Sequence, residues 1–216
     1  MDADRVVEAV RHYVLDPSEP VQRRWDEPGS VTVQTRRFHY QIRPATWSIA
    51  SEPWVADALR VLADSGRSDY LPTFGLLFAR GADAIFLNDV AAMGELGSRL
   101  GEGLDPIAYA ELLAELHYPL HQRDEPVVRP SSPGYLIRDP QKFLDQYPTL
   151  DATLPRPPTV RDDGGQRVIG FRSYVRYLLD YGSAIDVYDW RVTAPHGRPA
   201  TWSHEAVAQR LELPVR

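Results

Sequence analysis

The chain has 216 residues, 43 % of them hydrophobic and 25 % charged, with 30 acidic against 24 basic side chains, a formal charge of −6 and no cysteine. Such a chain can bury a core without staples, and the missing cysteines exclude disulfides, thiolate metal sites and cysteine nucleophiles. The acidic balance argues against a nucleic-acid role, which needs a basic surface, although Arg23, Arg24, Arg36 and Arg37 form a local basic group.

All basic residues but Lys142 are arginine, a bias that points to a GC-rich bacterial genome. The acidic start, Met1-Asp2-Ala3-Asp4, leads into no apolar run, so no signal peptide is expected. The apolar runs are too short to span a bilayer, and a cytoplasmic protein is the expectation.

In chain order, Val6, Val7, Val10 and Val14 at helical spacing predict an amphipathic helix over 4–14, ended by the prolines of 16–20. Residues 30–42 are β-branched and aromatic and predict a strand. Over 51–66, Ser51 as cap, Pro53 in the first turn, Trp54, Val55, Ala58, Leu59 and Leu62 on one side, and Gly66 as stop predict a helix. Residues 74–89 read as a hairpin around Gly81, followed by a helix to about Leu100. In that helix Gly94 and Gly97 either weaken the structure or admit a close neighbour.

Asp105 as cap, Pro106, and apolar Ile107, Leu112, Leu113 and Leu116 predict a helix over 105–118. Residues 119–158, rich in proline, read as a long ordered connection, with a two-lobe split expected, if anywhere, near 126–158. A second hairpin is expected around Gly164-Gly165, then a helix placing Phe171, Tyr174, Val175 and Leu178 on one face and stopping at Gly182. Residues 184–194 alternate as a strand, Pro195-His196-Gly197 turn, and a last helix is expected from Ser203 to about Leu211. The resulting fold class is α+β, one domain over 1–216 of antiparallel hairpins and amphipathic helices crossed by the proline-rich segment.

The hexapeptide Arg-Pro-Ala-Thr-Trp-Ser occurs at 43–48 and again at 198–203. It reads as a local device in which proline extends the chain, tryptophan enters the core and a hydroxyl caps the next helix. The competing reading is a pseudo-symmetric pair, with Trp47 and Trp202 lining one pocket.

Chemistry-bearing residues are sparse. His117 and His121, with Glu111 and Glu115 upstream, have the spacing of a zinc-binding helix. Pro119 interrupts that helix, so a metal is not favoured and no cofactor is implied. His39 lies in a strand between two aromatics. Asp186 and Asp189 are three apart in a strand and point to opposite faces. His39 and Asp186 are the remaining catalytic candidates. No glycine-rich phosphate loop and no nucleophile elbow is present. Tyr174, Tyr177, Tyr181, Tyr188 and Trp190 crowd one short region.

Three functions follow as expectations. The first is a non-catalytic accessory or inhibitory protein that binds a protein partner through an aromatic and arginine surface, with Trp47, Tyr174, Tyr188, Trp190 and Trp202 as contact residues. The second is a small-molecule enzyme or binder with a Trp/Tyr-lined pocket and His39 or Asp186 moving a proton. The third is a metal-dependent hydrolase using His117 and His121. Neither a membrane nor nucleic acid is an expected partner.

Overall fold

The computed structural model describes residues 3–16, 18–45, 57–64, 73–80, 83–117, 120, 133–179 and 182–214. It combines antiparallel sheets with helices, the α+β composition expected. The chain divides into two compact units, Met1–Asp89 and Val90–Arg216, so the proline-rich segment lies inside the second. Among the described residues no helix is long and apolar enough to cross a membrane.

The first unit is one helix and a six-stranded antiparallel meander. Helix α1 (Ala3–Tyr13) precedes β1 (Arg23–Glu27), β2 (Ser30–Gln34), β3 (His39–Pro44), β4 (Asp57–Asp64), β5 (Thr73–Arg80) and β6 (Asp83–Leu87), which neighbour one another in chain order. Alternation in the sequence sets the inner face. Val31 pairs with Ile42 and Val33 with Tyr40; Ile42 then pairs with Val61 and Tyr40 with Ala63. Val6, Val7 and Val10 of α1 close this core, and each fully buried aliphatic side chain is worth about 1.5–3 kcal/mol. Helix α1 touches both β2 and β6, so the sheet curls around it.

Strands β5 and β6 pair antiparallel, as the hairpin expected over 74–89 requires, while Gly81 itself lies outside the described residues. The helix expected over 51–66 is not. Residues 57–64 form β4, in which Leu59, Val61 and Ala63 are buried at period two; 51–56 and Gly66 lie outside the described residues. Apolar residues at both members of several adjacent pairs satisfied the helical template as well as the strand template, and pairing with β3 and β5 decided between them. The basic group seen in the sequence is partly neutralised. The Arg24 guanidinium pairs with Asp4 and Asp26, each at 2.6 Å, and Arg37 with Glu19 at 3.1 Å.

The second unit contains α2 (Val90–Ser98), continued by a 3-10 turn at Arg99–Gly101, then α3 (Pro106–Glu115), β7 (Tyr135–Leu136), α4 (Pro140–Gln146), β8 (Thr159–Asp163), β9 (Gln166–Leu179), β10 (Gly182–Pro195) and β11 (Thr201–Leu213). The two Asp-Pro sequences each start a helix. Asp105 accepts the Ile107 N–H at 2.8 Å, and Asp139 accepts the N–H groups of Gln141 and Lys142.

The sheet order is β11-β10-β9, with β8 and β7 side by side along the far edge of β9. One face carries Phe171, Ser173, Tyr188, Trp190 and Val192 and receives α2 and α3. The other carries Tyr174, Ile185 and Val187 and receives Phe143 and Tyr147 from α4 and its end.

Two expected helices are strands here. Residues 171–179 belong to β9 and 203–211 to β11. Phe171, Ser173, Val175 and Tyr177 are buried on the helix-covered face, and Arg172 is buried on the other beneath the Thr153–Leu154 connection. With Tyr174 and Leu178 also on that second face, the apolar–polar alternation that identifies strands is lost from the sequence. His204 is therefore a strand residue, and Ser203 caps no helix.

The hexapeptide copies differ in context. In the first, Arg43 and Pro44 close β3, and Thr46, Trp47 and Ser48 lie outside the described residues. In the second, Arg198 follows a turn and Thr201, Trp202 and Ser203 open β11. Ala200 of the second copy donates its N–H to the Gly94 carbonyl at 2.8 Å. A Cβ at Gly97 would stand 2.3 Å from the Ala200 Cβ and 2.8 Å from the Tyr109 Oη, so this glycine admits a close neighbour. Tyr109 is itself buried and donates to the Met93 carbonyl at 2.8 Å. Gly97→Ala is expected to cost about 1–3 kcal/mol by overpacking, read as an earlier urea midpoint with unchanged slope; a midpoint at the wild-type value would show that α2 and the 198–200 turn are not in contact.

Candidate functional site

Two groupings in the second unit bear on function, and they occupy opposite faces of its sheet. The first is an aromatic cluster on the helix-covered face. His117, just beyond the end of α3, is 1 % exposed. Its ring lies 4.2 Å from that of Tyr188, 5.4 Å from Trp190 and 4.9 Å from His204. The Trp190 indole stacks between His204 at 4.6 Å and Phe171 at 5.4 Å, and its Nε1–H donates to the Ser173 Oγ at 2.8 Å. Burial lowers the pKa of His204. These distances are those of ring packing, worth about 0.5–1.5 kcal/mol per pair beyond area burial.

The catalytic and metal candidates are distributed over both units. His39 belongs to the first unit, exposed at the start of β3 with its ring 6.4 Å from that of Trp25. Trp47 and His121 lie outside the described residues. The imidazole that meets His117 is His204, and among the described residues no group of three or more histidines and carboxylates is placed to hold a metal. Tyr174 lies on the other face, packed with Phe143 at 5.1 Å and Tyr147 at 5.6 Å, where burial raises its hydroxyl pKa. Trp202, half-buried, pairs with Val192 across β11 and β10.

Asp186 is 5 % exposed and serves the backbone. The ladder between β10 and β11 slips twice, between Ile185 and Val187 and between Val187 and Tyr188, so β11 bulges opposite Asp186. In the first bulge Arg210 has φ of 52°, a left-handed conformation that L side chains seldom adopt. The Asp186 Oδ1 accepts the Arg210 N–H at 2.6 Å and its Oδ2 accepts the Tyr188 hydroxyl at 3.3 Å. Burial, and the facing Tyr177 and Asp186, raise the pKa of that hydroxyl. The Arg210 guanidinium lies over the Tyr177 ring, 4.2 Å from its centre.

The second grouping is a cleft of about 450 Å³ on the face opposite the aromatic cluster, lined by Arg156, Thr159, Arg161, Gly170, Asp189 and Arg191 among others. The ladders place Thr159 beside Gly170 and Gly170 beside Arg191; Arg161 lies beside Val168. Thr159 closes over Gly170, the central position of this row, and its Oγ1 donates to the Gly170 carbonyl at 3.3 Å. A Cβ on Gly170 would meet the Thr159 Oγ1 at 3.0 Å. Phe171 and Trp190 also border the cleft, but the pleat turns their rings to the helix-covered face.

One wall is held by Arg172, which is 6 % exposed. Its guanidinium donates to the carbonyls of Thr153 and Leu154 and lies 3.5 Å from the Asp189 carboxylate. The connection leading to Arg156 and Pro157 is thereby fastened to the sheet, and the one carboxylate lining the cleft already has a cation beside it. Arg156, Arg161 and Arg191 are exposed, and among the described residues none has a carboxylate within ion-pair distance.

No protein-family model, no curated protein and no solved structure matches the chain. The function therefore rests on the site alone.

A second cleft, of about 490 Å³, lies by the β9–β10 hairpin between Tyr147, Leu178, Ser183 and Leu213. Its single arginine, Arg176, donates to the Ser183 Oγ at 3.3 Å. Though slightly larger, it offers no comparable set of uncompensated charges. Neither His39 nor Asp186 lines these two clefts.

The cationic residues were missing from the sequence-based candidates for a definite reason. Reading 171–179 as a helix hid the register that brings Arg161 and Arg191 to either side of Gly170. The available signal was in β10, where Asp189 and Arg191 alternate with apolar neighbours and so mark a face that no helix needs to cover.

Proposed function

We propose that this protein acts by binding a protein partner, as an accessory or inhibitory subunit, through the arginine cleft of its second unit. The observation that supports the reading is the set of three exposed arginines lining one cleft, Arg156, Arg161 and Arg191, without carboxylates of their own among the described residues. Arginine is the cation suited to bidentate recognition of carboxylates at interfaces, and cationic clefts steer and orient anionic partners. In a chain of net charge −6 such a local excess of positive charge stands against the average field. The aromatic side chains expected to share this surface (Tyr188, Trp190) contribute rigidity from the covered face instead.

The test compares affinity capture by the wild-type protein and by R156E/R161E/R191E at matched ionic strength, with captured proteins identified by mass spectrometry. The expected result is one protein recovered in stoichiometric amount by the wild type and lost by the variant. Capture of the same proteins by both, or of none by either, overturns the reading.

A further inference from the structure

We infer that the occupant of the arginine cleft is an extended, carboxylate-rich peptide segment of the partner; this rests on the preceding reading. The geometry is specific. Arg161 on β8 and Arg191 on β10 stand on either side of β9 and are offset by one pair of residues along it, since Arg161 faces Val168 while Arg191 faces Gly170. With standard strand spacing their Cα atoms are about 12 Å apart. Both line the cleft beside Gly170 and Val168, and Arg156 lines it from the fastened connection. An extended chain repeats same-side residues every ~7 Å. Two acidic side chains at positions i and i+2 therefore fall between the two arginines, and a third reaches Arg156.

The shape and charge of the cleft favour a peptide over a nucleic acid. Single-stranded nucleic acids bind along tracks with exposed aromatic platforms, whereas Phe171 and Trp190 turn their rings away from this surface. Beside the arginines, β8 pairs with β9 alone among the described residues, leaving its other side open to an adjoining extended segment.

The experiment titrates fluorescein-labelled Ac-(Glu-Ala)4-NH2 into the full chain at 50 mM and 200 mM salt. The glutamine counterpart, Ac-(Gln-Ala)4-NH2, a labelled dT8 oligonucleotide and inorganic phosphate are run in parallel. We expect saturable binding of the glutamate peptide, weakened at least tenfold by R161A/R191A and severalfold at the higher salt, with no binding of the glutamine peptide. Unchanged thermal melting of R161A/R191A shows that the loss is local. A competing phosphate that displaces the peptide only at tens of millimolar fits the inference; displacement at micromolar phosphate, tighter binding of dT8, or equal binding of both peptides overturns it. Should capture identify an arginine-dependent partner whose binding segment has no acidic residues, the partner reading stands and this inference fails.

Discussion

Arg172→Met is expected to destabilise the protein by about 3 kcal/mol, lowering the melting temperature by roughly 6–12 °C for a chain of this size. Arg172 is a cation buried within a strand, and methionine fills its volume without its charge. The substitution strips donors from the carbonyls of Thr153 and Leu154 and leaves Asp189 without its cation. Removing one member of a buried pair ordinarily costs 3–5 kcal/mol. The lower figure applies because the Asp189 side chain, 36 % exposed, is partly hydrated once Arg172 is gone. Arg172→Lys should fall between, since an ammonium keeps the charge but not the planar fork that reaches two carbonyls and a carboxylate together. A second readout is local. Amide hydrogen exchange over residues 151–154 should be faster in the methionine variant, before global unfolding, because the connection has lost its fastening. A melting temperature within a degree of wild type would show that Arg172 does not hold this wall.

Asp186→Ala is expected to cost a similar amount, about 3 kcal/mol, by a different route. The carboxylate gives up a short bond from the Arg210 N–H at 2.6 Å, worth about 1.5–3 kcal/mol, and a longer, weaker one from the Tyr188 hydroxyl at 3.3 Å, worth about 1 kcal/mol. Arg210 then keeps its left-handed backbone with no acceptor for its amide. Asp186→Asn retains an acceptor oxygen and should lose less than half as much. Arg210→Gly separates the causes: glycine adopts this conformation freely, so its gain offsets the lost contact with Tyr177 and stability should stay within about 1 kcal/mol of wild type. Chemical denaturation of the three variants provides the check. If Asp186→Ala is neutral, the carboxylate is not what fixes the bulge.

The first unit was legible in part. The valines of α1 carry a helical period and pack as one, whereas 30–42, read as a single strand, folds as β2 and β3 paired antiparallel about a turn, its β-branched and aromatic residues giving no sign of the break at 35–38. Caps were equally readable: Asp105-Pro106 starts α3 as its chemistry requires. What misled was apolar crowding. Leu59 and Leu62, or Tyr174 and Leu178, fit helical spacing as well as any helix, and only the ladders to neighbouring strands reveal them as strand residues. The cleft was illegible for the same reason. Its residues come from β8, β9, β10 and an irregular connection, and no spacing along the chain encodes their meeting. The opposition of Asp186 and Asp189 was readable, because it depends only on strand periodicity, and the two carboxylates do serve different faces.

The twin bulges of β11 have a consequence for colloidal behaviour. Among the described residues this thirteen-residue strand is flanked on one side only, by β10. A straight outer rim of that length would be a template for fibril growth. The two slips confine regular pairing to short runs and twist the rim between Ala206 and Leu211 out of line, so an incoming chain cannot zip along it. Releasing the kink, as in Asp186→Ala, is therefore expected to make concentrated protein more prone to aggregate, read as increased light scattering.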